Sequence, residues 1–88
     1  MNTYRHLLKI ARQYDPLSTD YFRIVCAVNS YNNYVQRWYD DPAARRQVEP
    51  LITQTRQWCE AIQYAIINGT AIPALRDIEQ PREAASPV

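Results

Sequence analysis

His6, Cys26 and Cys59 are the side chains with the widest chemical range in this sequence, and their number and spacing limit what they can do. A single histidine rules out a metal site built from a His pair within one chain. With the two cysteines it would complete a Cys2His set, but the intervals between the three match no zinc-binding pattern. The Glu-x-x-His motif of di-iron helical bundles is absent. Nucleophilic catalysis would require Cys26 or Cys59 beside His6. Both cysteines fall on or next to apolar helical stripes, where thiols are normally inert. Without a C-x-x-C pair or a disulfide framework, they read as small buried hydrophobes kept reduced in a cytosolic setting.

The carboxylates are equally unpromising for acid–base work. Asp15, Asp20, Asp40 and Asp41 all fall where helices are expected to start or stop. There an aspartate caps free backbone N–H groups or offsets the helix dipole. Glu49, Glu60, Asp77, Glu79 and Glu83 occupy ordinary surface contexts. With Gly69 as its one glycine, the chain has no glycine-rich phosphate loop. The expectation is therefore no enzymatic activity, no cofactor and no metal.

The elements that hold these residues are legible from apolar spacing. Tyr21, Ile24, Val25, Val28, Tyr31, Val35 and Trp38 recur at steps of one, three and four, the period of one helical face. They predict a central helix over 18–39, with Ser18, Thr19 and Asp20 competing as N-cap and Asp40-Asp41-Pro42 ending it. Tyr4, Leu7, Leu8, Ile10, Ala11 and Tyr14 predict a first helix over about 3–14, stopped by Asp15-Pro16. A third helical region is expected over 42–68, opened by Asp41-Pro42 and closed by Asn68-Gly69. Its stripe is Leu51, Thr55, Trp58, Cys59, Ile62, Ala65 and Ile66. Pro50 lies inside it and predicts a break or kink near Glu49.

The fold class that follows is all-α, a small three-helix bundle with Leu7, Ala11, Val28, Trp38, Trp58 and Ile62 in its core. After Gly69, Ile72, Leu75 and Ile78 are expected to fold back as a short helix or extended segment and cover Ile67. Residues 1–79 make a single domain, and 80–88, rich in Pro, Ala and charge, read as a disordered tail. At 88 residues the chain has room for one core of modest stability.

Composition narrows the partner classes. Net charge is +1, which gives no global field for nucleic acid or anionic lipid. No apolar run approaches the ~20 residues of a membrane span, and no charged-then-apolar leader opens the chain. Arg5, Lys9 and Arg12 form one basic stripe and Arg45-Arg46 a second patch, so a nucleic-acid-binding regulator is the alternative reading. It is weakened by the aspartates at the ends of the same helices and by the lack of a glycine turn of the helix-turn-helix type.

The preferred reading is a small non-enzymatic interaction module. An adaptor, inhibitor or regulator of the kind phage and mobile elements encode would fit this size. Its partner-binding residues would be Phe22, Asn29 and Asn33 on the second side of the central helix, beside Cys26, with Tyr34 on the same helix and Tyr64 on the last one, both off the main stripes. Arg5, Lys9 and Arg12 would steer an acidic partner. A homodimer is compatible with the same surplus of aromatic surface, since pairing two small cores buries more surface per residue.

Overall fold

The structure, a computed structural model, describes residues 3–78. It is all-α among those residues. Helix α1 spans Arg5–Ala11, α2 spans Thr19–Asp40, a 3-10 turn covers Pro42–Ala44, and α3 spans Arg45–Asn68. Residues 75–78 add one further helical turn. The expected tail at 80–88 lies outside the described residues.

α2 begins where its capping chemistry is best. The Ser18 hydroxyl accepts the Tyr21 N–H at 3.1 Å and donates to the Asp15 carbonyl at 2.7 Å, which settles the choice among the three cap candidates. Asp41 stops the helix in extended conformation and caps the 3-10 turn through the Ala43 N–H. α2 and α3 then lie antiparallel. At one end Trp38 of α2 meets Arg45 and Glu49 of α3, and at the other Arg23 of α2 reaches the chain just past α3, at Ile72.

The two grooves of this helix pair are filled differently. α1 occupies one. Thr3 exchanges both backbone groups with the Asn32 side chain of α2 at 3.1 Å, the Tyr4 hydroxyl donates to Glu60 of α3 at 2.7 Å, and Leu7 and Ala11 are buried beneath. The segment after Gly69 occupies the other. The Ile72 carbonyl accepts from Arg23 and the Pro73 carbonyl from Trp58, each at 2.8 Å, and Ile72 enters the core. Ile24, Ala27 and Val28 of α2 and Trp58, Cys59, Ile62 and Ala65 of α3 complete that core.

Four expectations need correction. α1 is shorter than 3–14. Its start is displaced because Thr3 is committed to Asn32, so Tyr4 turns through a left-handed conformation at φ 65°. At its end Arg12, Gln13 and Tyr14 bond three residues back instead of four, tightening the last turn out of α geometry.

α3 is not broken near Pro50. It runs as one helix from Arg45. Pro50 lies within its first two turns on an exposed side, where the Arg46 carbonyl left without its helical donor can reach water. The change of geometry comes earlier, between the 3-10 turn and Arg45.

Trp38 is half-buried, not a core residue. Its ring lies under the Arg45 guanidinium at 4.1 Å, and its indole N–H donates to Glu49 at 3.0 Å. The fourth correction concerns Ile67. The returning segment docks on the flank of α3 that carries Trp58 and Ala65. Ile67 stands nine residues after Trp58, about 180° round the helix, and stays 75% exposed.

Candidate interaction surface

The residues with chemical range are occupied by structure. Cys59 is fully buried. Burial, and secondarily the charge of Glu60, push its thiol up to about 12, so it holds its proton at neutral pH. Cys26 is half-buried, and both thiols are free. His6 is exposed and its Nε2 pairs with the Gln63 side-chain amide, fixing α1 to α3. Burial, then the hydrogen bond to Glu60 and its charge, hold the Tyr4 phenol above its ordinary range.

Most of the carboxylates are engaged in the same way. Asp15 accepts the Leu17 N–H, Asp40 the Gln36 amide, Asp41 the Ala43 N–H and Asp77 the Ala74 N–H. Among the described residues no group of three or more His, Cys, Asp and Glu side chains is placed to hold a metal ion. None of their helices is long and apolar enough to cross a membrane. A groove of about 330 Å³ on the outer side of α3 is lined by Pro50, Thr53, Gln54 and Gln57, without a titratable group.

What the molecule leaves over is apolar surface, and it is unevenly placed. Leu17, Phe22, Tyr39, Tyr64 and Ile67 are the exposed large hydrophobics. Leu17 and Phe22 flank the start of α2, while Tyr64 and Ile67 lie in the last turns of α3. Because the two helices are antiparallel, these four share one end of the bundle. Tyr39 is at the other end.

The expected partner-binding residues divide accordingly. Phe22, Asn29 and Asn33 lie on one side of α2 and are all exposed. Tyr64 is exposed at the Phe22 end. Tyr34 is half-buried, about 18 Å further along α2 and about 120° round it from Phe22, and does not join them. Arg5, Lys9 and Arg12 are exposed along the outer side of α1. The second basic patch is only partly available, because Arg45 stacks on Trp38 and its Nε donates to the Trp38 carbonyl at 2.8 Å.

Leu17 carried no expected role, yet it is the most exposed of the large apolar residues, at 95%. Its signal was positional. Between Pro16 and the Ser18 cap no helix face exists to turn it inward.

Comparison with protein-family models, with curated proteins and with solved structures finds no match.

Proposed function

We propose that this chain is a small non-enzymatic interaction module that works by binding a partner protein, as an adaptor, inhibitor or regulator in a reducing, cytoplasmic setting. The observation that carries the reading is the gathering of Leu17, Phe22, Tyr64 and Ile67 at one end of the bundle while the core is filled by other residues. Solvent-exposed apolar groups scattered singly are ordinary, but several at one end mark an interaction surface. Aromatic residues are enriched at such surfaces.

The nucleic-acid reading draws on Arg5, Lys9 and Arg12, which lie on one exposed side of α1. Three phosphate contacts, two from a seven-residue helix and one from its C-cap Arg12, would give weak, strongly salt-dependent binding. The protein-partner reading uses the apolar end as well as the cations and is preferred for that reason.

Affinity capture with the intact chain from its native host, with and without nuclease, tests the choice. A protein partner survives nuclease and is lost with the exposed-surface pair Phe22→Asp and Tyr64→Asp. Capture of nucleic acid alone, insensitive to that pair, would reverse the preference.

A further inference from the structure

We infer that the face made by α1 and its two flanks docks an acidic, amphipathic segment of a partner protein. The inference rests on the interaction-module reading and specifies the partner's chemistry.

α1 lies in its groove with Leu7 and Ala11 inward, so its opposite side carries Arg5, Lys9 and Arg12, at intervals of four and three. None of the three side chains has a hydrogen bond or ion pair among the described residues. Glu60 and Asp15 border this face, and each already accepts a hydrogen bond, from Tyr4 and from Leu17. The three cations are left without a carboxylate of their own.

The flanks are apolar at the same level. On α3, Glu60 and Gln63 touch Tyr4 and His6, so α1 and α3 run in the same direction. Ile67 is the next residue of that stripe, and four residues on from Gln63 brings it level with Ile10. On α2, Asn32 is level with Thr3. Ten residues back along the antiparallel α2, about 15 Å, bring Phe22 level with Arg12. By helical rise from those hydrogen bonds, the order across the face is Ile67, then Lys9 and Arg12, then Phe22, with Leu17 following Arg12 in the chain; Ile67, Phe22 and Leu17 are all exposed.

An apolar–cationic–apolar strip of this kind matches a helix with a carboxylate stripe edged on both sides by apolar residues. The charge selects an acidic occupant and steers its approach. A second copy using the same face would set cations against cations. Ile67 and Leu17 are aliphatic, and can neither stack on a base nor bind a phosphate, so a protein segment uses the whole face and a nucleic acid does not.

The test is fluorescence anisotropy on the full chain with three labelled probes. These are an 18-residue helical peptide with a glutamate stripe edged on both sides by leucines, its lysine counterpart, and a DNA duplex. The inference expects the glutamate peptide to bind, the lysine peptide not to bind, and affinity to fall with salt. Arg5→Glu with Arg12→Glu should weaken the glutamate peptide by about tenfold or more. Ile67→Ser should weaken it severalfold, while Tyr39→Ser, at the far end, should not. All of these positions are exposed, and circular dichroism confirms the fold of each variant.

Binding of the glutamate peptide that ignores the charge reversal would overturn the inference. So would tighter binding of the duplex that is lost with the same reversal, or a dimer in sedimentation that the reversal dissolves. If the glutamate peptide fails to bind, while a captured protein partner is lost with Phe22→Asp and Tyr64→Asp but kept with Arg5→Glu and Arg12→Glu, the acidic segment is wrong and the interaction module stands. If neither peptide binding nor partner capture is found, both readings fall.

Discussion

The Trp58 indole N–H donates to the Pro73 carbonyl at 2.8 Å, and Arg23 takes the adjacent Ile72 carbonyl at the same distance. Two consecutive carbonyls past the end of α3 are thus held by two different helices. This pairing turns nine residues without a long helix of their own into the fourth wall of the core, with Ile72 buried and Leu75 and Ile78 packed against it. Trp58→Phe keeps most of the apolar ring but leaves the Pro73 carbonyl without its donor. Chemical denaturation should show a loss of about 1–3 kcal/mol, and amide exchange in 70–78 should accelerate more than in α2.

Replacing Val28 or Ile62 by Asp would bury an unpaired carboxylate among residues that are fully inaccessible. A domain this small has roughly 4–13 kcal/mol of total stability, and such a burial consumes several of them. Loss of the cooperative thermal transition is the expected result. A transition close to that of the parent would mean the core has been misplaced.

Pro50→Ala should stabilise the protein. The proline removes one helical hydrogen bond within α3, yet the helix continues through it. Restoring the N–H gains more than the extra freedom of the unfolded chain costs, for a net of about 2 kcal/mol. An unchanged or lowered denaturation midpoint would show that the helix near Pro50 depends on the proline ring.

Alkali should destabilise the fold through Cys59. Its folded value, about 12, lies above the unfolded thiol's 9.0. Between the two, the unfolded chain binds fewer protons than the native one, so stability falls as pH rises. The contribution is intact below 9.0 and is lost on approaching about 12. Stability measured at rising pH should decline less steeply in Cys59→Ala. At neutral pH Cys59 should react with a thiol reagent only as the protein unfolds, and half-buried Cys26 sooner.

The parts of this fold that could be read from residue order are those set by local periodicity and capping. α2 and the buried stripe of α3 follow from apolar spacing, and Gly69 closes α3 in the left-handed conformation expected of it, at φ 69°. Three of the misreadings involve a contact outside the helix concerned, while the continuity of α3 through Pro50 is a local matter. Tyr4 becomes left-handed because Asn32 holds Thr3. Trp38 stays at the border because Arg45 and Glu49 satisfy it there. Ile67 is left uncovered because the Pro73 carbonyl meets Trp58 on the opposite flank. For the candidate surface, helical period alone identified Phe22 and Tyr64 as surplus. It could not show that both lie at one end, since that depends on α2 and α3 being antiparallel, whereas the separation of Tyr34 from Phe22 follows from the helical period itself.

The central claim, a protein-binding surface at the Leu17–Phe22–Tyr64–Ile67 end, is tested most directly by photo-crosslinking in the native host. A photoreactive phenylalanine analogue is placed singly at position 22, 64 or 39, all exposed aromatic sites in the parent. The account predicts a discrete protein adduct from positions 22 and 64 and none from position 39. An adduct from position 39 alone, or adducts from 22 and 64 that contain nucleic acid and no protein, would contradict it.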